Sequence, residues 1–234
     1  MFRKVSLWVV LGAVVLLQGC ATHIYKTEAF SQSNSRFAIV SFGGLTSGLG
    51  MDEEADQKLI TQLEPIVYQE LSKSKHFTLI QPKLVKSSRS YRLIQGEPTD
   101  GMYSMKVARG YKKFDPKKQP DAVRKLMADL KLSGIIQVTA YYGKKDSSVF
   151  VSGLLPLPVS GGVAHGHITF SVVAYDGNGD VIWRDTVEQD TQNGTLLVMG
   201  IANVGKLYPQ LVDITQEASH TALEKLDEKL AANS

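Results

Sequence analysis

Phe37-Ala-Ile-Val-Ser-Phe42, halted by Gly43-Gly44, is a continuous apolar run rich in β-branched and aromatic residues. That composition suits a central strand covered on both faces. Downstream, between Asp52 and Lys75, apolar residues recur at three- and four-residue steps (Leu59, Leu63, Ile66, Val67, Leu71), and Asp52, Glu53 and Glu54 crowd the start. This spacing predicts a helix whose first turn is acidic, as the macrodipole favours, with a kink or break at Pro65. Phe77-Thr-Leu-Ile80, closed by Pro82, predicts a second strand. Strand, long helix and strand at this separation form a βαβ unit with a parallel pair.

Farther along, Pro120 precedes a helix over Asp121–Leu132 with Val123, Leu126, Met127 and Leu130 on one face. Three strands follow, over 134–142, 165–175 and 181–187. The last two are joined by Asp176-Gly-Asn-Gly-Asp180, whose residue types supply the positive φ of a hairpin turn. A closing helix is expected from about Pro209 to Leu230, striped by Leu211, Ile214, Ala218, Ala222, Leu226 and Leu230. The expected fold class is α/β: a mixed sheet of about five strands in the order β-α-β-α-β-β-β-α, helices packed on it, in a single domain over 37–234.

The first residues carry an address. Arg3 and Lys4 are followed by an apolar span from Val5 to Leu17, too short to cross a bilayer as a helix, and by Leu17-Gln18-Gly19-Cys20. This pattern resembles the signal of bacterial lipoproteins. It implies a signal peptide over 1–19, with Leu17 and Gly19 read by the signal peptidase, and a diacylglycerol plus an N-acyl chain on Cys20. Cys20 is the sole cysteine, so it has no partner for an internal disulfide, and acylation explains its solitude. Two or three acyl chains anchor far more firmly than one. Ala21, in place of the aspartate that resembles an inner-membrane retention signal, implies the periplasmic face of the outer membrane. Residues 20–36, polar and unpatterned with Ser31 to Ser35 in succession, read as a lipidated flexible tether.

Loss of residues 1–19 removes two basic and no acidic side chains from a total of 26 and 23, leaving the rest nearly neutral. Nothing in that balance favours nucleic acid. Gly43-Gly44-Leu-Thr-Ser-Gly-Leu-Gly50 lacks the Lys-Ser/Thr ending of a phosphate loop, so no nucleotide is expected. His165 and His167 alternate onto one strand face without a third ligand nearby, and no metal or other cofactor is expected. No Gly-x-Ser-x-Gly elbow is present either, and no catalytic residue is assigned.

Two further segments bear on partners. Residues 83–119 interleave Tyr91, Tyr103, Tyr111 and Phe114 with Lys86, Arg89, Arg92, Lys106, Arg109, Lys112, Lys113, Lys117 and Lys118. They read as a solvated helical insertion whose aromatics cap the core, or as a surface for glycan or lipid. Residues 149–163, like 196–204, are more apolar than a solvent loop. Leu154, Leu155, Leu157 and Val159 are the interaction candidates, either covering the sheet or meeting a partner. Neither segment carries the ten-residue alternation of transmembrane β-strands.

Phe37–Phe42, residues 64–75 with Phe77–Ile80, and the hairpin of Tyr175, Asp176-Gly-Asn-Gly179 and Trp183 resemble the periplasmic α/β fold shared by the curli secretion lipoprotein, the amino-terminal domain of TolB and the lipoprotein activators of penicillin-binding proteins. The resemblance implies a non-enzymatic assembly, export or regulatory subunit of a cell-envelope complex, held to the membrane by its lipid and partnered by envelope proteins or further copies of itself. The alternatives are a glycan- or lipid-binding carrier, and an envelope hydrolase.

Overall fold

The computed structural model describes residues 23–30, 35–46, 53–98, 105–152, 159–193, 195–198, 201–202 and 204–232. Its strands are β1 (Ile24–Tyr25), β2 (Arg36–Thr46), β3 (Thr78–Leu79), β4 (Lys106–Val107), β5 (Gly134–Ser152), β6 (Val159–Tyr175), β7 (Val181–Asp190), β8 (Thr195–Val198) and β9 (Ile201–Ala202). Helices α1 (Glu53–Leu71), α2 (Pro82–Ser87), α3 (Arg89–Leu93), α4 (Pro120–Leu130) and α5 (Val204–Ala232) complete it. All nine strands form one mixed sheet whose main path runs β1-β7-β6-β5-β2-β3. The α/β class and the chain order agree with the sequence reading. The strand count exceeds the expected five because β1, β4, β8 and β9 are two to four residues long, below the reach of a periodicity argument.

β2 is central, parallel to β3 on one side and to β5 on the other. Phe37 and Ile39 face one layer while Ala38 and Val40 face the opposite one, as pleating requires. Between Ile39 and Ser41 the register slips by one residue against β5, so Phe42 rejoins Phe37 and Ile39. The first layer is covered by α1 and α5, through Leu59, Leu63, Val67, Leu211, Ala218 and Leu226 over Ile136, Val138, Ile168, Phe170 and Trp183. On the second, α2, α3 and α4 bury Val85, Tyr91, Val123 and Leu126 against Ala38, Val40 and Ile135.

Several expectations are corrected. Gly43 and Gly44 do not end β2, which continues to Thr46. A Cβ on Gly44 would lie 2.3 Å from Ile60 Cδ1 and 2.6 Å from the Ala140 carbonyl oxygen, so glycine is what lets α1 and β5 approach the strand this closely. Pro65 leaves α1 a single element over Glu53–Leu71, and Pro209 lies inside α5, which starts at Val204. Tertiary cover of a long amphipathic helix offsets one missing backbone bond. The Asp176–Asp180 hairpin is present: Asp176 Oδ1 accepts from the Asn178 and Asp180 amides, each at 2.9 Å, and Gly179 takes φ +78°.

The tether expected over residues 20–36 is also revised. β1 pairs antiparallel with β7, Ile24 opposite Arg184 and Tyr25 opposite Trp183, and a short 3-10 helix follows over Thr27–Phe30. The buried Phe30 ring stacks on Phe37, centroids 5.2 Å apart and planes at 8°. Residues 23–30 therefore belong to the domain.

Candidate functional site

The described chain opens on His23, three residues past Cys20; Leu17, Gly19 and Cys20 lie outside the described residues. His23 and Tyr25 converge on Asp185 in β7, a carboxylate with 0% exposure. Its Oδ1 is 2.6 Å from His23 Nδ1 and accepts the Thr186 amide at 2.7 Å, its Oδ2 accepts the Tyr25 hydroxyl at 2.8 Å, and Lys225 Nζ stands 3.7 Å away. A buried carboxylate needs such company to remain in the interior. Burial, with the carboxylate adding to it, pushes the Tyr25 phenol well above its usual range, so it remains a proton donor to Asp185. Lys26 N donates to the Ile182 carbonyl at 2.8 Å and extends the seam.

At the same end of the sheet, β5 and β6 outrun their neighbours. β2 pairs β5 only as far as Tyr142, and β7 pairs β6 only as far as His167. Beyond these points the two strands continue against each other from Gly143↔His167 to Ser152↔Val159, with a bulge between Asp146 and Ser148. β8 adds four residues beside Gly161–Ala164, and β9 pairs with β8. The nine residues from Val159 to His167, eight steps of the strand, make an arm roughly 27 Å long. Residues 149–152 and 159–163, expected in a Gly/Pro-punctuated loop, are instead hairpin strands, and much of 196–204 is β8, β9 and the start of α5. Val159 closes the ladder opposite Ser152, while Leu154, Leu155 and Leu157 lie outside the described residues.

The root of the arm is polar. Lys145 Nζ donates to Asp190 Oδ2 at 2.9 Å, His167 Nδ1 is 2.6 Å from Asp190 Oδ1, and Gly166 N donates to Thr191 Oγ1 at 2.8 Å. Lys145 first, then His167, holds the Asp190 carboxyl below its ordinary value. His165 Nδ1 lies 3.0 Å from the Thr191 carbonyl oxygen, so the two histidines serve separate contacts. Among the described residues no group of three or more His, Cys, Asp or Glu is arranged to hold a metal.

Of residues 83–119, the described parts hold most of α2, then α3, β4 and a 3-10 turn at Pro116–Lys118, joined by irregular chain, so the insertion is helical only in part. Tyr91, Tyr111 and Phe114 are buried. Lys86 Nζ sits 4.0 Å above the Tyr111 ring, and Lys112 Nζ donates to the carbonyls of Tyr91, Arg92 and Ile94. Tyr91, Tyr111 and Phe114 are thus not exposed for stacking; Tyr103 lies outside the described residues.

Two hollows remain. A groove of about 770 Å³ is lined by Glu54, Gln57, Lys58, Thr61, Gln62 and Arg109, side chains of mixed charge. A smaller one of about 360 Å³ lies between α1 and α5 over the buried Glu70, which takes both carboxylate oxygens to Lys73 Nζ at 2.8 and 2.7 Å and accepts from Gln216 Nε2 at 2.8 Å. Burial alone would raise the Glu70 carboxyl, and the Lys73 and Gln216 hydrogen bonds bring it below its usual range. Among the described residues no helix is long and apolar enough to cross a membrane.

No protein-family model matches the chain, and no curated protein does. Among solved structures, a putative neuraminyllactose-binding hemagglutinin homolog from Helicobacter pylori is similar at 11% identity over 92% of this chain and 91% of its own, with a TM-score of 0.40. Lipoprotein GNA1162 from Neisseria meningitidis follows at 10% identity, 79% and 97% coverage and 0.32. The hypothetical protein CT253 from Chlamydia trachomatis gives 11%, 80%, 98% and 0.29. Likenesses at these scores carry no functional inference.

Proposed function

We propose that this chain is a lipoprotein anchored through Cys20 to the periplasmic face of the outer membrane, and that its domain is a non-enzymatic assembly, export or regulatory subunit of an envelope complex. The observation that carries the binding role is the β5–β6 arm. Among the described residues β8 covers Gly161–Ala164 of β6, while β5 beyond Tyr142 keeps an unpaired edge, and such an edge serves assembly better than catalysis. The anchor rests on Leu17-Gln18-Gly19-Cys20. Burial of Tyr91, Tyr111 and Phe114 makes these three rings poor candidates for a carrier surface, which favours the assembly reading.

Cys20→Ala is expected to abolish incorporation of radioactive palmitate and to release the protein from membranes or leave it unprocessed; undiminished labelling would sink the anchor. For assembly, Leu155→Asp with Leu157→Asp is expected to leave the circular dichroism spectrum intact while weakening self-association or complex formation by about tenfold or more, the effect of placing charge in a desolvated contact. Size measurement of the domain from Ala21 onward reads the result. Unfolding of the pair without a separable loss of assembly refutes the interaction reading.

A further inference from the structure

β1 determines where an anchor on Cys20 leaves the domain. It runs antiparallel to β7, with Ile24 opposite Arg184 and Tyr25 opposite Trp183, so its N-terminal end points toward the Asp190 end of β7. That is the end at which β7 releases β6 and the arm departs. Three residue steps separate Cys20 from His23, a reach of at most about 10 Å. His23 itself is fastened to Asp185, whose carboxylate is fully buried.

From the level of Asp185, which pairs with Val172, the arm extends thirteen residues along β6 to Val159, roughly 43 Å in the direction of the anchor. Its described far end, 149–152 with 159–163, contains no charged residue. At the opposite end of the sheet, the β6–β7 turn presents Asp176, Asn178 and Asp180.

We infer that the end of the sheet from which the β5–β6 arm projects faces the lipid bilayer, and that β1, locked by His23 and Tyr25 onto Asp185, is the clamp that holds the domain in this orientation. This rests on acylation of Cys20 as proposed above. The surface opposite this end of the sheet is the membrane leaflet that carries the lipid. The short reach leaves an anchored domain little freedom to turn over, and it directs the Asp176 and Asp180 carboxylates of the far turn away from the bilayer.

The test uses the full lipidated chain reconstituted in phosphatidylethanolamine/phosphatidylglycerol vesicles. With the native cysteine acylated, single changes Ser152→Cys and Asn178→Cys each accept one fluorophore, and energy transfer to a headgroup-labelled lipid reports height above the bilayer. Ser152 and Asn178 lie at opposite ends of a β6 that is about 53 Å long. Transfer from position 152 is expected to be several-fold more efficient than from 178. A twelve-residue Gly/Ser insert between Ala21 and Thr22 adds about 20 Å of flexible chain without touching the domain, and it is expected to bring the two efficiencies together. Equal or reversed efficiencies in protein that floats with the vesicles and carries palmitate overturn the orientation while leaving the anchor standing. Undiminished contrast with the insert overturns the role of β1 as the clamp. Protein that neither floats nor takes palmitate overturns the anchor, and the orientation with it.

Discussion

Phe37→Ala is expected to destabilise the domain by about 3–5 kcal/mol, the cost of emptying a large aromatic site that the surroundings refill only in part. Phe37 has no exposed surface and lies where three elements meet. Its ring centroid is 5.2 Å from that of Phe30 in the N-terminal segment and 5.2 Å from that of Phe77 ahead of β3, and its edge occupies the space that a Cβ on Gly134 would need. Urea unfolding followed by tryptophan fluorescence checks the magnitude, with an unchanged m-value marking a change in stability alone. Because Phe30 loses its stacking partner, residues 23–30 should also become more susceptible to limited proteolysis under native conditions. A loss under about 1 kcal/mol would mean that Phe30 and Phe77 close over the gap, and that the aromatic cluster is not the pin that fixes the N-terminal segment.

Gly44→Val is the other substitution with a large expected effect, about 3 kcal/mol at the upper end of what overpacking costs. Its Cβ would press on two different kinds of neighbour. Ile60 Cδ1 is the tip of a flexible side chain and can turn aside; the Ala140 carbonyl belongs to the β5 backbone, which pairs with Gly44 itself. Adding Ile60→Ala should therefore restore only part of the lost stability, and a double-mutant cycle of thermal or urea unfolding gives the coupling directly. Full rescue would show that the helix contact alone demands glycine. No rescue would place the whole demand on the β2–β5 pairing.

Gly44 illustrates how a correct residue signal can be assigned the wrong job. Two consecutive glycines after an apolar run ordinarily end a strand. Here the strand continues, because the close approach of α1 and β5 needs the missing side chains, and closeness is a property of partners 16 and 96 residues away in sequence. Pro65 and Pro209 were open to the same error: each breaks a helix judged in isolation, and each sits within a helix whose apolar face is covered. The basic and aromatic residues of 83–119 looked available for a ligand in one dimension. In three, Lys86 lies over Tyr111 and Lys112 caps the carbonyls around Tyr91, so the cations finish the fold's own hydrogen bonding.

The α/β class, the βαβ start, the Asp176–Asp180 hairpin and the amphipathic faces of α1, α4 and α5 are legible in the residues alone, because helix period, strand composition and turn chemistry are all written within a dozen neighbouring residues. The tertiary structure alone decided that residues 23–30 dock and that β5 and β6 extend into an arm. The polar composition of residues 20–36 argued for a tether, and it was outweighed by two strand residues, one buried phenylalanine and a carboxylate 160 positions away. Local composition measures what a segment can bury on its own; docking depends on what the rest of the chain has already assembled for it, and a strand of two residues or a buried Asp185 has no local pattern by which to be seen.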